Sequence, residues 1–531
     1  MSVFFMGNLM FVLGIVFLQI MVVHGAPITS CDQTPYPHTC NSFIATDPYH
    51  PTSDQTHLTF RVMALRATMR QAQEAHRLIS TMNSSSFNGP AKVAWLDCVE
   101  LYEDTLYQLN RAIVNPVNID DVQTYLSAAI TNQETCKNGF ADLSLSFHGL
   151  QSSPFMLTNF SELLSNALAI NRASAAIPAT VNRPSGRRLL SDDGGFPPWM
   201  SASDRKLLQQ SKGPLEADVV VAKDGSGDYK SISDAVKAST KLRSGKGGRF
   251  VIYVKAGLYN EKVVISRTMK NLMLIGDGIG ATIVSGNMNA QDGSTTFRSS
   301  TFAVSGAGFI ARDMTFENTA GPEKHQAVAF RAGGDFSVLY RCSFVGYQDT
   351  LYAYAMRQFY RECDIYGTVD FIFGDAAAVF QSCNIYVRKP MSNQINTVTA
   401  QGRRDPNENT GIVIQNSRIT AAPDLKPFQG SFKTFLGRPW KQYSRTVIMK
   451  TFLDDLIDPQ GWTPWNGGFA LDTLYYAEYM NAGAGASTGF RVKWGGYHLI
   501  TSSTEAEKFT VGNFLDGDKW IPAGVPFTSG L

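Results

Sequence analysis

Cys342-Ser-Phe-Val-Gly-Tyr-Gln-Asp349 returns 21 residues later as Cys363-Asp-Ile-Tyr-Gly-Thr-Val-Asp370. Cysteine, a bulky apolar residue, glycine and aspartate keep the same offsets in both copies. A period near twenty predicts a stacked solenoid in which each copy is one coil. Equivalent positions on adjacent coils then lie one strand spacing apart, about 4.8 Å, which places Asp349 beside Asp370. Two carboxylates at that distance do not ionise independently, and split carboxylate pKa values are how acid and base roles are divided.

Working outward, five segments share a pattern: Arg312-Asp-Met-Thr-Phe316, Tyr340-Arg-Cys-Ser-Phe344, Arg361-Glu-Cys-Asp-Ile365, Gln381-Ser-Cys-Asn-Ile385 and Gln415-Asn-Ser-Arg-Ile419. The third residue reads Met, Cys, Cys, Cys, Ser, and the fifth is always apolar. Coils of irregular length with small or apolar residues pointing inward predict a right-handed parallel β-helix; a β-sandwich does not need such in-phase repeats. Stacking also brings Cys342, Cys363 and Cys383 within disulfide range, and three cysteines can make one bond. Cys342–Cys363, Cys363–Cys383 and a fully reduced ladder are all open on spacing alone. No histidine is in phase with the ladder, which argues against metal binding there.

The same β pattern runs back to residue 218, with short strands such as Phe250-Val-Ile-Tyr-Val254 and Leu272-Met-Leu-Ile275 and one helical stretch near 231–240. Residues 181–213 are rich in Pro, Gly, Asp and Arg, a linker composition. Each end of the linker carries a dibasic pair followed by Leu-Leu, at Arg187-Arg-Leu-Leu190 and Arg205-Lys-Leu-Leu208. Before it, Leu58, Val62, Leu65, Met69, Ala72, Ala75 and Leu78 recur at three- and four-residue steps, one apolar helical face. Similar faces follow at Val93–Leu106, Val122–Ile130 and Leu163–Ile170. They predict an all-α up-and-down four-helix bundle with an N-terminal hairpin over residues 26–180. The apolar run 8–23 and the small residues after it predict a signal peptide over 1–25 and a secreted product. The sequons at Asn83 and Asn159 fit secretion, and Cys31, Cys40, Cys98 and Cys136 suggest two disulfides, with three pairings possible.

The 531 residues are 44% hydrophobic and 17% charged, which excludes a disordered or coiled-coil chain and leaves room for two large cores. The net charge of +2 is unevenly shared. From residue 209 on there are 34 Lys+Arg against 29 Asp+Glu, and before it 13 against 16. A basic second part suits a polyanionic partner.

Asp349 and Asp370 are the core of the candidate site, because stacked like charges destabilise a sheet unless something compensates. Gln348 adjoins Asp349, and Gln326 lies about one coil earlier. Neutral amides donate to an oxyanion without titrating. Arg438 in Leu436-Gly-Arg-Pro-Trp440 can hold a carboxylate ionised, and Trp440, Phe371 and Phe373 can offer flat surfaces to a sugar ring. A rival motif, Gly485-Ala-Ser-Thr-Gly489 followed by His498, lacks an acid between Ser487 and His498 and the strand–turn–helix setting of a nucleophile elbow. Gly276-Asp-Gly-Ile-Gly280 has only turn character.

These motifs, with Gly257-Leu-Tyr-Asn-Glu261, Gln326-Ala-Val-Ala329, Gln348-Asp-Thr-Leu351 and Asp370-Phe-Ile-Phe-Gly374, make residues 218–531 resemble plant pectin methylesterases (carbohydrate esterase family 8). Residues 26–180 are similar to the plant invertase/pectin methylesterase inhibitor domain. The resemblance implies a catalytic domain over 214–531 behind an inhibitor-like pro-domain, cut by a subtilase at one of the dibasic sites. It implies Asp370 as nucleophile, Asp349 as general acid and then base, and Gln348 and Gln326 as oxyanion donors. Arg438 would orient Asp370, and Thr296, Gln326, Arg438, Trp440 and Phe371 would contact substrate. It further implies disulfides Cys31–Cys40, Cys98–Cys136 and Cys363–Cys383, and no metal or cofactor. The expected partner is methylesterified homogalacturonan in the cell wall, with inhibitor proteins as further partners and no nucleic acid. A pectate lyase or polygalacturonase on the same fold is the enzymatic alternative; an inhibitor with a degenerate esterase tail is the non-enzymatic one, against which the intact aspartates, glutamines and Arg438 argue.

Overall fold

The computed structural model describes residues 27–44, 57–82, 87, 89–143, 158–175, 217–243 and 248–531. The apolar run 8–23, Asn83 and both dibasic sites lie outside the described residues. The N-terminal part comprises a short helix α1 (Pro37–Phe43) and four long ones, α2 (His57–Thr81), α3 (Gly89–Val114), α4 (Ile119–Asp142) and α5 (Thr158–Ser174). Leu65, Ala72, Ala75 and Ile79 of α2 are buried at the expected spacing. Helix α4 starts at Asn118, whose side chain accepts from the Asp121 amide at 3.2 Å. It is buried on nearly every face from Val122 to Phe140, so it packs on more than its own bundle. Cys31–Cys40 and Cys98–Cys136 are bonded, with Cα atoms 5.3 and 4.6 Å apart, and the second ties α3 to α4.

From Val219 on, every pairing between described strands is parallel. The chain forms a right-handed parallel β-helix. One ladder runs Val263–Ile265, Phe302–Val304, Phe330–Ala332, Leu351–Ala353, Ile372–Gly374, Asn396–Gln401 and Thr434–Gly437. The remaining strands form two ladders joined through the long strands Ile310–Asn318 and Ser337–Val345, which bend and serve both. The bend has a residue-level cause. Asp313, Arg341, Glu362, Ser382, Asn416 and Lys450 all have φ between 50° and 58°. Five of them are the second residue of the repeated pattern, and each turns its coil by one left-handed residue. The third residue, Met314, Cys342, Cys363 or Cys383, then enters the interior.

Inside, aromatic rings stack from coil to coil, Phe302 on Phe330 at 5.5 Å and Tyr360 on Phe380 at 4.4 Å. Each such buried ring contributes roughly 1.5–3 kcal/mol. Helix α6 (Ile232–Leu242) adds Ile232, Ala235 and Val236 to this core at its N-terminal end. The expected Cys363–Cys383 bond is not made: Cys342, Cys363 and Cys383 are all free and buried. Their neighbours pair in register, Ser343 with Asp364 and Asp364 with Asn384. In-register side chains project in parallel, whereas a disulfide needs converging Cβ–S vectors. Each sulfur finds a carbonyl instead, Cys342 on Ala311 and Cys363 on Leu339, both at 3.4 Å.

The bundle lies on the outer face of the seven-stranded ladder. Tyr352, Tyr354, Phe373 and Ala400 share one apolar cluster with Cys98, Leu101, Tyr125 and Cys136. Polar contacts reinforce it: Thr131 donates to Asp375 at 2.9 Å and Tyr354 to Asn132 at 2.6 Å.

Candidate active site

Register brings the two aspartates together. Leu351 pairs with Ile372 and Tyr352 with Phe373, and each aspartate stands two residues before its strand. Asp349 and Asp370 both adopt left-handed backbone, φ 63° and 53°, a conformation that costs a non-glycine residue free energy and gathers at functional sites. The repeat's glycine makes room for the turn. A Cβ on Gly346 would sit 2.7 Å from Thr350 Oγ1, and one on Gly367 would sit 2.2 Å from Phe371 Cβ.

The surroundings of the two carboxylates differ. Arg438 Nε donates to Asp370 Oδ1 at 2.8 Å and its Nη2 to Oδ2 at 2.7 Å, a bidentate pair. Thr397 adds a hydroxyl donor to Oδ1 at 2.6 Å while accepting from the Asp370 amide. Among the described residues none donates to the Asp349 carboxyl in this way, and it is held well above the usual carboxylate range. Burial is the largest cause, followed by the charges of Asp370 and Asp142, with Arg438 opposing them. One site thus holds two neighbouring carboxyl groups in unlike surroundings, one gripped by an arginine and the other buried without such a donor among the described residues.

Around them lies a cavity of about 200 Å³ lined by Thr296, Gln326, Gln348, Phe373, Arg438, Trp440 and Trp465, among others. Every expected site residue except Phe371 faces this space. Phe371 is fully buried within the β-helix beside Ile372, and Phe373 is the ring that looks out. The glycine at 367 explains the difference, since it leaves the interior volume that Phe371 fills. The rival Ser487 is exposed and absent from the cavity lining, and His498 stacks on Tyr475 at 4.4 Å.

Sequence reasoning missed four contributors. Thr397 carries no motif. Trp465, whose ring lies 4.3 Å from the Arg438 guanidinium, stands in an ordinary Pro-Trp-Asn-Gly loop. The other two, Asn138 and Asp142, come from helix α4, which with Thr135 and Gly139 closes the cavity from above. Gly139 lies at this contact, where a Cβ would just meet Thr295 Cγ2 at 3.4 Å and a longer side chain would collide with it. Asp142 accepts from the Thr296 amide at 3.3 Å, and burial raises its pKa.

A parallel β-helix with two differently placed carboxyl groups in a cavity on its outer face has the layout of a carbohydrate-active enzyme. The comparisons make this specific. Residues 218–518 match the Pectinesterase family and residues 27–170 match the plant invertase/pectin methylesterase inhibitor family. The chain belongs to the pectinesterase family, joined to an inhibitor-family domain, and is a pectin methylesterase by class. It is 54% identical to the probable pectinesterase/pectinesterase inhibitor 6 of Arabidopsis thaliana over 95% of this chain and 94% of that one. It is 53% identical to pectinesterase 2 of Citrus sinensis, over 94% of each. Among solved structures it resembles the pectin methylesterase from carrot, at 57% identity and TM-score 0.59, covering 60% of this chain and all of that one.

Proposed function

We propose that this protein hydrolyses the C6 methyl esters of pectic galacturonate, releasing methanol, by covalent catalysis at Asp370. Asp370, oriented through both its oxygens by Arg438, attacks the ester carbonyl carbon. Negative charge develops on the carbonyl oxygen, and the amides of Gln326 and Gln348 line the space where it would form. As the tetrahedral species collapses, the C–O bond to methoxide breaks and Asp349 supplies the proton that makes it methanol. Asp349, now a carboxylate, takes a proton from water. The resulting hydroxide attacks the same carbon of the acyl-enzyme and frees Asp370, and Asp349 is again protonated. Trp440, Trp465 and Phe373 offer apolar faces to the sugar rings.

The observation that carries this reading is the asymmetry of the pair: a bidentate arginine on one aspartate and an undonated, raised-pKa carboxyl on the other. The measurement that tests it is methanol release from methylated pectin by residues 209–531 with EDTA present. Cleavage to unsaturated products that depends on calcium would mark a lyase and overturn the assignment. Replacing Ser487 with Ala should leave methanol release unchanged.

The docked bundle supports a second element of the proposal, that the uncleaved chain is held inactive. Helix α4 covers the catalytic pair, and Asp349 and Asp370 are 7% and 4% exposed beneath it. A polymer cannot reach them in this arrangement. Secretion and cutting within 181–213 would release the enzyme into the cell wall. Equal activity of the linked and cut forms would refute the block.

A further inference from the structure

Apart from the catalytic cavity, a trough runs along the seam between the bundle and the β-helix. It consists of two cavities, of about 330 and 400 Å³, that share Asp120, Arg357 and Asp516 as a common wall. No catalytic residue lines either one. The first cavity has a basic wall, Arg172 of α5 and Arg445 of the β-helix. Arg172 donates to the Pro406 carbonyl at 2.7 Å, and among the described residues neither arginine has a carboxylate within ion-pair distance. Burial, and then the charges of Arg403 and Arg172, hold Arg445 well below the usual arginine range, against Tyr475 and Glu408. The nearby acids are engaged elsewhere: Asp516 pairs with Lys519 at 2.8 Å, and Glu408 accepts from the Arg404 and Asp405 amides.

The second cavity is apolar, lined by Ile310, Phe336, Val338, Trp520 and Pro522. The Phe336 and Trp520 rings lie 5.2 Å apart, and the Arg357 guanidinium lies 4.2 Å from the centre of the Phe336 ring. Phe336 holds a left-handed backbone, φ 59°, a cost for a bulky residue that gathers at functional positions. The chain itself marks the two ends of the trough. Ala175, the last described residue of the bundle, lines the basic cavity. Ala217, the first described residue of the β-helix, packs against the cluster that holds Ile310 and Val338. Residues 176–216 lie outside the described residues, and a chain of that length reaches more than about 100 Å when extended, ample for the trough. They include Asp192-Asp-Gly-Gly-Phe-Pro-Pro-Trp199. Two acids come first and an aromatic–proline run second, the same order as the basic and then the apolar cavity. The other long internal stretch outside the described residues, 144–157, leaves from the far end of α4, about 36 Å from Asn118 at 1.5 Å per residue.

We propose that Asp192–Trp199 of the linker seats in this trough, its acids on Arg172 and Arg445 and its aromatic–proline run against Phe336 and Trp520, and so straps the bundle to the β-helix. A Pro-Pro run favours the extended polyproline conformation, and it loses little entropy on docking against aromatic side chains. Carboxylates add charge-assisted hydrogen bonds to the guanidinium groups. The segment stands between Arg187-Arg-Leu-Leu190 and Arg205-Lys-Leu-Leu208. A chain cut at one of these sites still carries the strap on one unit, so both cuts are needed to free it. That consequence rests on the release by cutting proposed above, whereas the docking itself does not.

The test uses the uncleaved chain and a dye-labelled peptide of residues 191–200, followed by fluorescence polarisation. In the wild type the tethered segment competes at high effective concentration, so the peptide should bind weakly or not at all. The double variant Phe196→Ser/Trp199→Ser, altered only in the linker, should bind it at least about tenfold more tightly. In that background, Phe336→Ala and, separately, Arg445→Gln should each weaken the peptide about tenfold. Should Phe336→Ala fail to fold, Arg445→Gln and a peptide with serine in place of both aromatics carry the test. A peptide that binds neither chain, or binds both equally, overturns the proposal. So does a double variant that sediments as a dimer, because a second copy then fills the trough. No step reads methanol, so a peptide that fails to bind leaves the esterase reading intact, and a failed esterase assay leaves the docking result standing.

Discussion

Arg438 grips both carboxylate oxygens of Asp370, at 2.8 and 2.7 Å, and donates to neither oxygen of Asp349, one coil away. That one-sided contact gives the two copies of a symmetric repeat unlike surroundings, as the proposed nucleophile Asp370 and proton carrier Asp349 require. Asp370→Asn should therefore abolish methanol release by residues 209–531 while leaving the far-ultraviolet circular dichroism and melting temperature close to wild type. Turnover that survives the change would sink the covalent mechanism.

Gln326 and Gln348 make no side-chain hydrogen bond to any described residue, yet both face the cavity. Groups poised for an oxyanion act on the transition state rather than on bound substrate. Gln348→Ala should lower kcat by about 10²-fold, the usual loss for one such donor, with little change in KM. A rise in KM at constant kcat would assign the residue to ground-state binding instead.

Two carboxyls meet across the docked interface, Asp349 of the β-helix and Asp142 of the bundle, and both have raised pKa values. A carboxyl raised in the folded state favours the protonated form. Its stabilising contribution is full below the unfolded value, about 4, and is lost as pH rises through the folded value. Lys441, which also faces Asp142, opposes the shift. The full chain should melt at progressively lower temperature as pH climbs from about 4, and Asp142→Asn should flatten that slope. A variant with an unchanged slope would remove Asp142 from the account.

Gly139 of α4 faces Thr295 of the β-helix, and a Cβ there would sit 3.4 Å from Thr295 Cγ2. A leucine there has nowhere to go without lifting the helix. Gly139→Leu in the uncleaved chain should raise methanol release several-fold over the uncleaved wild type. Failure to rise, in a chain whose bundle stays folded by circular dichroism, would argue against a steric block.

The free thiols give a chemical test of the fold. Unfolded in guanidinium without reductant, the chain should titrate three thiols, those of Cys342, Cys363 and Cys383, beside two intact disulfides. Reductant should lower the stability of the bundle and leave that of the β-helix unchanged. A count of one thiol would restore the Cys363–Cys383 bond.

The period of the cysteine–glycine–aspartate repeat was enough to stack the coils, because a strand that buries one face must keep its phase with its neighbours. That phase made Asp349 and Asp370 adjacent, and the amphipathic spacing of residues 58–170 separated a helical unit from the β region. Sequence could not choose between Phe371 and Phe373, since a left-handed residue at 370 offsets the alternation and interior volume beside Gly367 admits Phe371. Nor could it settle the sulfurs, which depend on the direction of Cβ vectors rather than on separation. The distinct environments of the two aspartates and the cover of α4 arise from residues far apart in the chain. Only tertiary packing decides which distant donors, charges and helices meet at one carboxylate, because desolvation and ion pairing act over a few ångströms of space and leave no period in the sequence.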